Sequence, residues 1–284
     1  MKAQPSFFCY CNGVFLPLHE ISLNPYDLGL LRGYAVFDVM SVENGKPFLL
    51  EEHWQRLVRS AETLCLMLPV TLQEYQDIIM ELIAKNGGSD APAISIRTVL
   101  SGGVAEDAYT PRVGQETFLI LIEAAHKLPP SMYALGVKLL PLEYARQFSW
   151  AKVANHIASI RTLAEKREAG ALEALYVSNG MVLEAATSNV ALVRDGGIVV
   201  PADGVLAGIT LEKVLALAAA LHIPIERRTV TVAEFLQADE VFLTASNKRV
   251  VPVTRIGDTT IKDGKPGKVT RQLMAAFDEF VKQY

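Results

Sequence analysis

The chain has 284 residues, 50% of them hydrophobic and 20% charged, and 27 basic against 31 acidic residues leave a net charge of -4. That balance excludes wholesale disorder, and the missing basic excess argues against a nucleic-acid binder. Cys9, Cys11 and Cys65 supply neither a disulfide framework nor a Cys-x-x-Cys pair, so zinc and thiol-redox chemistry are disfavoured.

From the N-terminus, Met1 to Phe8 lacks the basic and apolar regions of a signal peptide. No apolar run is long enough to span a bilayer. A reduced, cytoplasmic protein without a membrane partner is expected. Phe7 to Leu16, broken by Asn12-Gly13, reads as a hairpin. Val36 to Val42, the turn Glu43 to Lys46 and Phe48 to Leu50 read as a second. Apolar residues at helical spacing predict a helix over Glu51 to Leu66 and another over Leu72 to Lys85, the latter ending at Asn86-Gly87-Gly88. Ala93 to Leu100 and Thr117 to Ala124 read as strands. Pro129-Pro130 marks an expected linker, Lys127 to Ser131. Beyond it the pattern predicts a strand at Val137 to Leu142, a helix over Asn155 to Ala169 and a hairpin from Glu173 to Glu184. Strands at Val190 to Arg194 and Ile198 to Val200 follow, then a helix over Thr210 to Leu221 and a strand near Ile225. A short helix at Val232 to Leu236, a strand at Glu240 to Thr244 and a helix from Lys268 to Val281 complete the chain. Hairpins are grouped rather than alternating with helices, so the fold class is α+β. The domains expected are 1–126, a linker 127–131 and 132–284.

Familiar motifs fail. No G-x-G-x-x-G follows a strand, Gly264 to Val269 lacks the P-loop spacing, the five histidines show no metal-ligand spacing, and no G-x-S-x-G elbow exists. Three other features carry chemistry. Lys152 stands before a helix in an apolar context, Trp150 to Asn155; desolvation there makes an amine nucleophilic. The alternative is an exposed lysine. Glu184 ends a strand and precedes the small residues Ala185 to Ser188, which leave room for a flat ligand. Gly208-Ile209-Thr210 opens a helix, whose free N–H groups and dipole suit an anion; the alternative is a plain Thr210 cap.

Together these features resemble the fold-type IV, class IV aminotransferases, which work with pyridoxal 5'-phosphate (PLP). That family includes D-amino-acid and branched-chain aminotransferases and aminodeoxychorismate lyases. The resemblance runs from Asp27 to the last helix. It rests on Lys152 with Asn155, on Glu184 at 32 positions after Lys152, on His53-Trp54-Gln55-Arg56-Leu57, on Gly208-Ile209-Thr210, on Ser246-Asn247 after a Phe-Leu-Thr strand, and on Gly267 to Thr270. Ala191, Pro201 and Leu211 depart from the usual signature. The resemblance implies a two-domain fold like that of D-amino-acid aminotransferases, with a barrel-like C-terminal domain carrying Lys152 and Glu184. It makes Lys152 the Schiff-base and proton-transfer residue, Glu184 the partner of the pyridine nitrogen, and Arg56, Ile209, Thr210 and Ser246 the phosphate ligands. It also implies a homodimer.

For substrate, Arg32, Arg97 and Asn247 are the candidates. The tyrosine that familiar D-amino-acid aminotransferases carry after the Asp-x-Gly segment is replaced by Leu30. Two guanidinium groups would suit a substrate carboxylate; the alternative is arginines paired with acids. The expected activity is transamination between a D-amino acid such as D-glutamate or D-alanine and a 2-oxo acid such as 2-oxoglutarate. An L-branched-chain aminotransferase and a 4-amino-4-deoxychorismate lyase are the enzyme alternatives. A ligand-binding protein of the same fold is the non-enzyme one, disfavoured by the presence of both Lys152 and Glu184.

Overall fold

The computed structural model describes residues 7–88 and 93–284; most of the N-terminal segment read as lacking a signal peptide lies outside them. The chain forms two compact units. One gathers the residues up to His126 with Ala151–Asn155 and Tyr284; the other holds Lys127–Trp150 and His156–Gln283.

The first unit is built on β1 (Phe8–Cys11), β2 (Val14–Pro17), β3 (Ala35–Glu43), β4 (Lys46–Pro47), β5 (Ile94–Ser101) and β6 (Thr117–Ala124). Among the described residues they form one sheet in the order β2-β1-β6-β5-β3-β4. Helices α1 (Leu28–Arg32), α2 (Leu50–Thr63) and α3 (Leu72–Lys85) complete it. Strand alternation decides what each face carries. Val36, Met40, Ile96, Leu100, Phe118, Ile120 and Ile122 are buried together with Trp54, Leu57, Tyr75, Ile79 and Leu82 of the helices. The register pairs Phe37 with Val99 and Val39 with Arg97, so Phe37 and Arg97 share the opposite face.

Local chemistry explains the helices. Thr71 and Glu74 form a full capping box on α3, which satisfies two backbone donors at once. Asp27 caps α1 through the Gly29 N–H, and Gly33 ends that helix at φ 64°, a left-handed conformation that glycine adopts without strain. The buried Asp27 carboxylate also accepts from Ser101 Oγ at 2.8 Å and Thr117 Oγ1 at 2.5 Å. The second hairpin is shorter than the sequence implies. Phe48 donates back to Ser41, and Leu49 turns left-handed at φ 55°, so the chain enters α2 at Leu50 instead of returning as a strand.

Residues Ala151–Asn155 line the free edge of β3 beyond the short β4. Val153 bridges Val36, Phe37 N–H donates to Lys152 O, and Ala154 N–H donates to Ala35 O. These bonds draw Lys152 into the first unit, whereas the sequence reading assigns it to the C-terminal domain.

The second unit opens with Pro129-Pro130. Read as a linker, this pair caps and opens α4 (Pro130–Leu135), because proline is preorganised for a first helical turn. Then come β7 (Val137–Glu143), α5 (Ile157–Arg161), α6 (Leu163–Glu168), β8 (Glu173–Ser178), β9 (Met181–Ala185), β10 (Asn189–Arg194), β11 (Gly197–Pro201) and α7 (Ile209–Ala220). They are followed by β12 (Ile225–Arg228), β13 (Val230–Thr231), α8 (Val232–Leu236), β14 (Glu240–Ala245), β15 (Arg249–Ile256), β16 (Thr259–Thr260) and α9 (Lys268–Gln283). The single helix expected over Asn155 to Ala169 is two. Thr162 Oγ1 bonds back to Ser159 O at 3.0 Å, and this side chain competes with the helical ladder. The sheet runs β12-β11-β10-β14-β15-β7-β8-β9-β13 with β16 on β15. Strands β12 and β13 are its two ends, yet only Thr229 separates them in the chain, so the sheet curls until its ends meet. Its apolar filling includes Leu139, Leu175, Leu192, Phe235, Leu243 and Val251. No described helix is long and apolar enough to cross a membrane.

Candidate active site

In the first unit the site is assembled around β3. Asp38 projects to the core face and is met by α2. Arg56 Nε donates to Asp38 Oδ2 at 2.7 Å and its Nη2 to Oδ1 at 2.8 Å. His53 Nδ1 lies 2.6 Å from Oδ1. All three are buried. Burial alone would raise the Asp38 pKa, but the charges and hydrogen bonds of Arg56 and His53 prevail and hold the carboxyl well below the usual range. Burial lowers the His53 pKa, and the positive charges of Arg56 and Lys152 add to that against the pull of Asp38. The ring is therefore neutral at pH 7, with Nδ1–H donating to the carboxylate. Arg56 is thereby fixed through its Nε and Nη2. Ser60, one turn later, donates to Arg56 O at 2.8 Å and accepts from the Lys152 N–H at 3.0 Å. Lys152 and Arg56 are thus tied to the same turn of α2.

The Lys152 amine lies 4.5 Å from the centre of the Phe37 ring, and the Arg97 guanidinium 5.6 Å from the same ring. Lysine and arginine share one face of the sheet. Arg97, on an interior strand, is also gripped by Glu123, at 2.7 and 3.1 Å. Arg32 lies apart from this group, exposed at the end of α1 with Nε donating to Ala108 O at 3.1 Å.

In the second unit Glu184 is buried at the end of β9. Arg146 Nε donates to its Oε1 at 2.6 Å, and the Leu206 N–H donates to Oε2 at 3.0 Å. Arg146 is anchored in turn by Ser149 O. Asn189 Nδ2 donates to Leu206 O at 2.8 Å, so Leu206 is held at both ends of its peptide. Two residues on, Gly208 starts α7 without any side-chain cap, which leaves its first N–H groups available to an anion. A Cβ on Gly208 would collide with Asn189 Oδ1; the close approach needs glycine. Ile209 and Thr210 follow, both buried. Across the sheet Asn189 pairs with Thr244, whose buried Oγ1 has no hydrogen-bond partner among the described residues. Ser246 and Asn247 lie on the turn just beyond. Glu184, Ile209, Thr210, Ser246 and Asn247 are thus carried by neighbouring elements of one sheet end.

The class IV aminotransferase family model matches residues 35–256. The chain is a class IV aminotransferase. It is 29% identical over 281 residues to a Methanocaldococcus jannaschii protein provisionally named a branched-chain-amino-acid aminotransferase, covering 95% of each chain. It is 29% identical to the D-alanine aminotransferase of Staphylococcus haemolyticus, covering 96% of this chain and 97% of that one. A solved branched-chain amino acid aminotransferase from the organism abbreviated T.th., complexed with N-(5'-phosphopyridoxyl)-L-glutamate, superposes with a TM-score of 0.87. There the identity is 27%, over 99% of this chain and 96% of that one.

Class IV aminotransferases use PLP, and the residues of this aminotransferase fit that group. An uncapped helix start and the partnerless Thr244 hydroxyl suit a phosphate, while a carboxylate backed by Arg146 suits a ring nitrogen that carries a proton. Sequence reasoning missed Arg146, Asp38 and Leu206. Arg146 lies six residues before Lys152 in no recognisable spacing, and Asp38 reads as a lone break in an apolar strand.

Proposed function

We propose that this enzyme is a transaminase acting on D-amino acids such as D-glutamate or D-alanine, with 2-oxoglutarate as amino acceptor. The observation that carries the proposal is the shared Phe37 ring, which has the Lys152 amine at 4.5 Å and the Arg97 guanidinium at 5.6 Å. A carboxylate held by Arg97 would set the substrate near the amine. PLP supplies an aldehyde that captures amines and a ring that accepts an electron pair. Lys152 Nζ would hold PLP by that aldehyde and would serve the proton at the substrate α-carbon. Glu184, which accepts from Arg146 and the Leu206 N–H, would keep a proton on the ring nitrogen. The first N–H groups of α7, the Thr210 hydroxyl and Ser246 would hold the phosphate, a role that the family resemblance also gives to Arg56. Asn247 would add a carboxylate contact, whereas Arg32, exposed at the end of α1 and bonded to Ala108 O, stands apart from Arg97.

Tyr26, Leu30, Leu31, Tyr109 and Val113 are exposed around Arg32, on segments tied together by the Ala105–Tyr26 and Arg32–Ala108 bonds. An apolar surface of this kind suits cover by a second copy, and we take the working enzyme to be a homodimer. The test is the absorbance change of PLP-loaded enzyme with single amino acids. D-Glutamate and D-alanine should convert the bound cofactor, and a Lys152→Ala variant should not. Conversion by L-leucine and not by either D-amino acid would overturn the choice in favour of the branched-chain reading, which the Methanocaldococcus and T.th. relatives support.

A further inference from the structure

Lys248 is a lysine with only 7% of its surface exposed. It sits on the turn after β14 that also carries Ser246 and Asn247. Its Nζ donates to Thr187 Oγ1 at 2.7 Å and Ser188 Oγ at 3.2 Å, and lies 2.8 Å from Glu173 Oε1. Three partners match the three ammonium protons. Glu173 repeats the grip from β8. Its Oε1 accepts from Ser188 Oγ at 2.6 Å, and its Oε2 accepts from the Thr187 N–H at 2.7 Å and the Thr187 hydroxyl at 3.0 Å. Burial works against the Glu173 charge, but Lys248 and these bonds hold its pKa low. Every tie of the pair thus ends on the turn Ala185–Ser188.

One end of that turn is Glu184, which holds the Leu206 N–H; the other is Asn189, which holds Leu206 O. A buried ion pair is weak support for stability, since apolar residues of equal volume commonly do as well. Its directional bonds, by contrast, fix a turn in one place. We propose that Lys248 is a positioning residue for the cofactor: through Glu173 and Thr187 it sets Glu184 relative to the start of α7. This rests on the reading of Glu184 and α7 as ring and phosphate contacts.

The apo forms of the wild type, Lys248→Met and Lys248→Met/Glu173→Gln are titrated with PLP by absorbance, and their thermal midpoints are measured in parallel. Lys248→Met strands a buried carboxylate and should lower the apo midpoint; the double variant removes that charge and should regain it. PLP binding should nevertheless weaken by about tenfold or more in both, as when an outer-shell support is lost. Wild-type PLP affinity in the double variant would show that the pair serves the fold alone, and would overturn the proposal. If Lys248→Met does not fold, Thr187→Val removes the exposed hydroxyl shared by Lys248 and Glu173; severalfold weaker binding is expected, and unchanged binding overturns it. A folded wild type that takes up no PLP would instead sink the site reading beneath it.

Discussion

Asp38, His53 and Arg56 show how one buried carboxylate can hold both a guanidinium and a neutral imidazole. Removing it leaves the Arg56 charge unpaired, so Asp38→Ala should cost about 3–5 kcal/mol of stability, read from urea unfolding of the apo chain. Acid should act on the same group. Both Asp38 and His53 have pKa values lowered by folding, so each contributes stability that is present above its unfolded value and lost as pH falls. For histidine the loss begins near pH 6.5, with a slope of at most about 1.4 kcal/mol per pH unit for one proton. His53→Gln should therefore flatten the fall of the apo thermal midpoint between pH 7 and 5. The Arg97–Glu123 pair, half-exposed on both sides, offers a test of the substrate clamp. Glu123→Gln should lower KM for D-glutamate by freeing Arg97, and Arg97→Ala should raise it, with kcat less affected in each. A KM indifferent to both changes would remove Arg97 from the pocket.

At the scale of elements, the start of α7 depends on one missing side chain. Gly208→Ala would drive a methyl into Asn189 Oδ1. Asn189 would release Leu206, and a stability loss of about 1–3 kcal/mol is expected from such overpacking, together with weaker PLP binding in titration. The helix itself is plain in the sequence, as are α2, α3 and α9, because apolar spacing and caps are local signals. Lys152, Glu184 and Arg56 stand out as candidates for a similar reason, each standing in a short run of distinctive chemistry. Partners are not. Arg146 finds Glu184 across 38 residues and Lys248 finds Glu173 across 75, and both pairings follow from sheet order rather than from any spacing. The split of the helix at Thr162 escapes a sequence reading because its apolar pattern continues across the break while one hydroxyl bends the backbone.

For the whole molecule, the α+β class is readable from grouped hairpins, but the course of the second sheet is not. Strand β15, flanked by a parallel and an antiparallel neighbour, has Pro252 and Thr254 within an apolar run, which blurs its period. The placement of Ala151–Asn155 beside β3 joins distant segments and leaves no local trace. The exposed surface around Leu30 and Tyr109 predicts self-association. Sedimentation should give twice the chain mass, and Leu30→Asp/Tyr109→Ser should shift the enzyme toward the monomer.

Because β12 and β13 are opposite rims of the curled sheet and share a single intervening residue, the polypeptide acts there as its own clasp. Thr229 fastens to Asp203 through its hydroxyl, so the clasp is pinned as well as short. Splicing a few glycines in at this point would leave every strand intact while letting the seam gape, and the cost should appear as faster amide exchange along β9 and β11 ahead of any change in the first unit.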